Sequence, residues 1–110
     1  MDIDTREVNE VLILDFSGTW NSGDGAVVSR SLKELLDLGY RRIILNLSDI
    51  GMLPLSSVPV LKSFCDEAEK RKRAVKIVAS SNHVRGTLRS GGFLGSTAVH
   101  RDELNALDEF

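Results

Sequence analysis

Gly51-Met52-Leu53-Pro54-Leu55-Ser56-Ser57-Val58-Pro59-Val60-Leu61 sets two adjacent hydroxyls between two prolines, directly ahead of a run with helical periodicity. Pro59 suits the first turn of a helix, because the N–H it lacks would find no intrahelical partner there. It also disfavours the αR conformation at Val58. A helix is therefore expected to begin between Ser56 and Pro59, with Ser56 and Ser57 at or just outside its N-cap. Leu61, Phe64, Cys65 and Ala68 continue it as a narrow apolar stripe, with Asp66, Glu67, Glu69, Lys70, Arg71 and Lys72 mostly outside. Two readings of the serine pair stay open on these grounds. One is a capping hydroxyl; the other is a phosphoryl group favoured by the free amides and positive end of the helix.

Working backwards, Ile43, Ile44, Leu45 and Leu47 follow Arg41-Arg42 as a nearly continuous apolar run, which suits a mid-sheet strand covered on both faces. Ile3 to Val8 and Val11 to Phe16, joined at Asn9-Glu10, read as an antiparallel hairpin whose second strand stops near Ser17-Gly18. Val28, Leu32, Leu35 and Leu36 then share one face of a first helix, with Gly39 where an αL residue would end it. Working forwards, Val75 to Ala79 is a β-branched run, and Ser80-Ser81-Asn82 offers caps for a short helix reaching Gly91-Gly92. A last strand is expected at Thr97 to Val99. A terminal helix follows from about Asp102, with Leu104, Leu107 and Phe110 as its apolar positions. The order ββαβαβαβα predicts one α/β domain over residues 1–110, a small mixed sheet of about five strands packed with about four helices.

The 110 residues, 42% hydrophobic, suffice for a self-supporting core. Fourteen basic and 16 acidic residues give a net charge of -2, which speaks against a counterion-releasing grip on nucleic acid. One cysteine forms no intramolecular disulfide, and no secretory leader or span of about 20 apolar residues is evident. A cytoplasmic protein without membrane insertion is expected; monomer and weak dimer stay open.

Gly18-Thr19-Trp20-Asn21-Ser22-Gly23-Asp24-Gly25 has glycines between a strand and a helix, yet no Lys and hydroxyl follow them as a phosphate-binding loop needs. An ordinary loop with Ser22 or Asp24 as N-cap is the expected structure. His83 and His100 lack the spacing of metal ligands and are expected at the surface, and Cys65 in an apolar stripe reads as a structural thiol. No Gly-x-Ser-x-Gly elbow or convergent acid–base set is found, so neither an enzyme nor a cofactor or metal site is expected.

The hairpin, the Gly18-Thr19-Trp20-Asn21 loop, the serine pair opening a helix and Val84-x-x-x-Leu88-x-x-x-Gly92 together resemble the STAS family, the sulphate-transporter and anti-sigma-factor-antagonist domain. The similarity runs over nearly the whole chain and is strongest from Ile44 to Leu61, where the family pattern is a strand ending Asp-Leu-Ser, a spacer, then Asp-Ser-Ser-Gly-Leu-Gly. Aligned without gaps, the family's aspartate falls on Pro54, its usual phosphorylated serine on Leu55, its second serine on Ser56 and its glycines on Ser57 and Pro59. The resemblance implies a bacterial regulatory module that binds a serine-kinase anti-sigma factor and carries a degenerate phosphorylation motif. Ser56 and Ser57 are the candidate acceptors. By resemblance the partner surface comprises Asn21, Asp24, Leu53, Pro54, Leu55, Ser56, Ser57, Val58, Ser81 and Asn82. The alternatives are an unphosphorylated scaffold or accessory subunit of a signalling assembly or transporter, and a nucleotide- or small-ligand-binding STAS domain.

Overall fold

Asn9 and Glu10 both take positive φ, 52° and 68°, as a two-residue hairpin turn requires for its twist to match the flanking strands. They join β1 (Asp2–Val8) to β2 (Val11–Ser17) in antiparallel register, Val8 opposite Val11 and Asp2 opposite Ser17. The computed structural model describes residues 1–93 and 99–110. After β2 come α1 (Asp24–Leu36), β3 (Arg42–Asp49), a 3₁₀ turn over Leu55–Ser57, α2 (Val58–Lys70), β4 (Ala74–Val78), α3 (Asn82–Ser90), β5 (Val99–His100) and α4 (Glu103–Asp108). The five strands form one sheet in sequence order, in which every neighbouring pair after β1 and β2 is parallel. The fold is therefore the mixed α/β arrangement expected from the alternating periods, with β3 at its centre.

Both faces of that centre are covered, which is why its sequence is apolar without alternation. On one face Leu12, Leu14, Phe16, Ile43, Leu45, Leu47 and Ile77 pack against α1 through Val28, Leu32 and Leu36, against α2 through Leu61, Phe64 and Ala68, and against α3 through Val84 and Leu88. On the other, Val11, Ile13, Ile44 and Val78 meet Ala106 of α4. Each large aliphatic side chain so buried contributes about 1.5–3 kcal/mol, so this sandwich holds the strand ends in place. Trp20 stacks on Phe16 with ring centroids 6.5 Å apart, anchoring the connection from β2 to α1.

Two expectations are corrected here, and a third falls partly outside the described residues. Leu104 is 74% exposed, because Asp102 caps α4 by accepting the Asn105 N–H at 2.8 Å and the helix turns Ala106 to the sheet. Position 104 then lies about 200° round the helix from Ala106. His100 is not at the surface: it pairs with Val78 across the β4–β5 ladder and lies beneath α4, its Nδ1 2.6 Å from Asn105 Oδ1. The last strand is described as Val99–His100, and Thr97 lies outside the described residues.

A polar cluster ties the two layers together. Arg6 of β1 donates to Asp15 of β2 at 2.6 Å and to Glu103 of α4, and Asp15 accepts in turn from Asn46 Nδ2 of β3 at 2.7 Å. The Arg6 hydrogen bond, helped by Asn46, holds the Asp15 carboxyl below its ordinary range against the opposing effect of burial.

Candidate functional site

The parallel strands β2, β3 and β4 are neighbours and run in one direction, so the loops that leave their carboxyl ends lie side by side. In open α/β sheets this is the edge at which binding sites form. The topology thus brings the loop ahead of α1, the loop ahead of α2 and the start of α3 onto one edge. Contact follows: a Cβ built on Gly25 of α1 would lie 3.5 Å from Val60 of α2, and Leu55 shares a groove with Asn82 and His83 of α3.

The two serines have separate fates. Ser57 is fully buried, and its Oγ donates to the Pro54 carbonyl at 2.6 Å while its own N–H reaches the same oxygen at 2.9 Å. It precedes α2 in the αR conformation (φ −74°, ψ −25°), which turns the hydroxyl back into the 3₁₀ turn, so no side chain caps α2. The expected cap is therefore absent at Ser57, and the hydroxyl there faces the protein interior. Ser56 is exposed beside Leu55, which is 60% exposed, and Met52, which is 68% exposed. Pro54 is half-buried.

Leu53 and Val58, read as partner contacts, are instead core residues at 2% and 1% exposure. Val58 also departs from the expectation that Pro59 would keep it out of αR, with φ −62° and ψ −44°. Tertiary packing overrides the local preference: α2 begins there so that Val58 can plug the space left by Gly91, whose missing Cβ would stand 2.3 Å from Val58 Cγ1.

In the loop after β2, Asp24 Oδ2 accepts the Asn21 N–H at 2.6 Å, and the Asp24 N–H returns to the Asn21 carbonyl at 3.0 Å. The N-cap residue is Gly23, not Ser22 or Asp24. A carboxylate occupies the amide that a bound phosphate would seek, so the loop's geometry repels an anion. Asn21 is exposed and Asp24 half-buried.

At the third loop Ser81 caps α3, its Oγ accepting from the His83 and Val84 amides at 3.2 and 3.4 Å, and Asn82 is exposed. Arg85 reaches back from α3 to donate to the carbonyls of Ala79 and Ser80 at 3.0 and 2.9 Å, and also holds Asn82. That brace fixes the end of β4 against α3. Cys65 is half-buried in α2, where burial, with Asp66 adding, pushes its thiol up to about 11. Such a thiol is a poor nucleophile at neutral pH.

The residues that reading by motif passed over are the other walls of the groove beside Leu55. This shallow depression of about 450 Å³ is lined by Leu55, Asn82, His83, Gly86, Thr87 and Ser90. Its signal in the sequence was the glycine inside a helical pattern. Among the described residues, no helix is long and apolar enough to cross a membrane, and no group of three or more His, Cys, Asp or Glu could hold a metal.

Comparison with known proteins places this geometry. The STAS domain family model matches residues 2–106. No curated protein matches the chain in sequence. Among solved structures, an anti-sigma factor antagonist from Mycobacterium paratuberculosis superposes with a TM-score of 0.88 at 13% identity, over 98% of this chain and 92% of its own. The Bacillus cell fate determinant SpoIIAA in its phosphorylated form gives 0.73 at 15% identity, over 98% of each chain. A sulfate transporter family protein from Wolinella succinogenes gives 0.72 at 23% identity, over 93% of this chain and 85% of its own. At these identities the likeness is one of fold.

Proposed function

The chain belongs to the STAS domain family, and from that membership we propose that it is an anti-sigma-factor antagonist-like regulatory module. It acts by binding a serine-kinase anti-sigma factor in the cytoplasm and performs no catalysis of its own. The single observation that carries this reading is the tip ahead of α2: Leu55 and Ser56 stand exposed on a 3₁₀ turn whose last residue, Ser57, and whose flanking Leu53 and Val58 are buried in the core. An exposed apolar side chain held this way favours a protein contact over a loop left to solvent. The contact surface is formed by Asn21, Asp24, Pro54, Leu55, Ser56 and Asn82.

In the ungapped match to the family pattern, Leu55 falls where members carry the phosphorylated serine and Pro54 where they carry the preceding aspartate. We propose that this chain is consequently a permanently unmodified antagonist. Ser56 supplies the accessible hydroxyl of the pair, and Ser57 is enclosed while α2 is folded. The test is to mix the protein with purified serine-kinase anti-sigma factors from the same genome, with ADP and with ATP, and resolve complexes by size exclusion. A complex is expected under both nucleotides, with no change in intact mass. No complex under any condition would end the reading. A gain of about 80 Da that disappears in Ser56→Ala would replace the unmodified antagonist with a switched one.

A further inference from the structure

Gly86 sits inside α3, exposed, in a helix of nine residues, and a Cβ built on it would meet nothing within 4 Å. Glycine weakens a helix interior relative to alanine through its backbone entropy. Where a glycine has an internal reason the structure declares it: Gly91 faces Val58, and Gly39 and Gly92 take positive φ. Gly86 has neither, and it forms part of the wall of the groove beside Leu55.

The charge around that groove is one-sided. From Ile50 to Cys65 the only ionised side chain is Lys62, and from Ala79 to Phe93 there are Arg85 and Arg89 beside His83, with no carboxylate in either segment. These three of the 14 basic residues stand apart in a chain that carries 16 acidic ones. Outside these two segments 11 basic residues stand with 16 acidic ones, so the segments carry a charge opposite in sign to that of the rest of the chain.

We infer that the groove along α3 receives a helix of the partner protein, whose apolar ridge crosses Gly86 next to Leu55 and whose flanking carboxylates meet Arg89, Lys62 and His83. The bare Cα at position 86 lets the two helix axes approach closely, since side chains at the crossing set that distance. The apolar part is supplied by Leu55, and the basic rim selects a carboxylate-bearing partner and speeds the encounter. This inference rests on the partner reading above and names the chemistry that the partner must present.

The experiment compares wild type, Gly86→Ala and Arg89→Glu by calorimetric titration with whichever purified serine-kinase anti-sigma factor forms the complex, at low and high salt, together with thermal melts of each variant. Gly86→Ala is expected to melt roughly 3–7 °C higher, because alanine favours the helix, and yet to bind roughly ten- to hundredfold more weakly, because its methyl overpacks the crossing. Arg89→Glu is expected to bind roughly tenfold more weakly at low salt and to lose part of that deficit at high salt. Binding of Gly86→Ala within about twofold of wild type overturns the inference and leaves the partner reading standing. Wild type that binds none of the kinases brings down the partner reading, and this inference with it.

Discussion

Replacing Gly91 by alanine puts a methyl group where Val58 already sits. A Cβ built at position 91 lies 2.3, 2.7 and 2.8 Å from Cγ1, Cβ and Cγ2 of Val58, whereas carbon pairs attract at about 3.5–4.0 Å. The overlap is therefore about 0.7 Å at the mildest of the three contacts. Backbone strain adds nothing, since Gly91 has φ −86° and ψ 0°, open to alanine. Val58 has nowhere to go: it is buried, begins α2, precedes a proline, and as a β-branched residue has one strongly preferred rotamer in a helix. Relief requires sliding the end of α3 away from α2, which loosens Val84 and Leu88 in the core. Overpacking of this kind costs about 1–3 kcal/mol, and three simultaneous overlaps put this case at about 2–3 kcal/mol.

Urea unfolding followed by far-ultraviolet circular dichroism measures the loss as a lowered midpoint at unchanged slope. Thermal melts should fall by roughly 8–20 °C. Val58→Ala removes two of the three close atoms, so the double variant Val58→Ala/Gly91→Ala should be more stable than the sum of the two single losses predicts, by about 1 kcal/mol. A Gly91→Ala protein within about 0.5 kcal/mol of wild type, or a strictly additive double variant, would refute the packing account of where α2 begins.

The serine pair separates under acidic substitution: Ser57→Glu, which forces a carboxylate into a buried turn, should lower stability by more than about 3 kcal/mol, whereas Ser56→Glu should stay within about 0.5 kcal/mol and weaken kinase binding instead. Equal melting temperatures for the two variants would contradict the burial of Ser57. Asp15→Asn tests the Arg6 cluster. The folded carboxyl titrates below the ordinary range of an aspartate, so its stabilisation is present above that range and lost as pH falls through the folded value. The stability gap between wild type and Asp15→Asn should accordingly be full at pH 7 and narrow steadily below about pH 4; a gap that is constant from pH 7 to about pH 2 would rule the linkage out. Cys65, with its thiol pushed up to about 11 by burial, should react with iodoacetamide at pH 8 far more slowly in the native protein than in urea. Equal rates would show that the thiol is not held in the core side of α2.

Much of this was legible because periodicity reports burial. The uninterrupted Ile43-Ile44-Leu45 run announced a strand covered on both faces, and Asn9-Glu10 between two apolar strands announced the hairpin. What stayed hidden depends on partners far away in the chain. Nothing local tells that Val58 answers Gly91: the observed start of α2 at Val58 lies within the expected span from Ser56 to Pro59, but the αR conformation of Val58 ahead of Pro59 has its reason only in that distant contact. Nothing local tells that Ser57 turns its hydroxyl on Pro54 while its neighbour faces outward, because a 3₁₀ turn and an N-cap differ by a rotation of one residue. Leu104 and His100 were misplaced for a related reason: a six-residue helix and a two-residue strand are too short for a period to show which side is covered. At the candidate site, motif matching drew attention to the loops, whereas the groove wall on α3 declares itself only once Gly86 is seen to face open space.

These two layers of information meet at residue 56. A serine phosphate adds nearly two negative charges, and on this tip it would enter a stretch, Ile50 to Cys65, whose one ionised side chain is Lys62. The consequence differs from simple repulsion. The added charge would be drawn to the basic rim and would neutralise the feature that selects an acidic partner, so affinity and its salt dependence would fall together. In the proposed function, leucine at position 55 takes the place of the acceptor serine and adds apolar surface to the same contact. The two changes act in one direction: both trade a charge-controlled release for a more persistent grip. Under the proposed function the chain holds its partner continuously, and its output is then set by how much of the protein is present rather than by how much of it is modified.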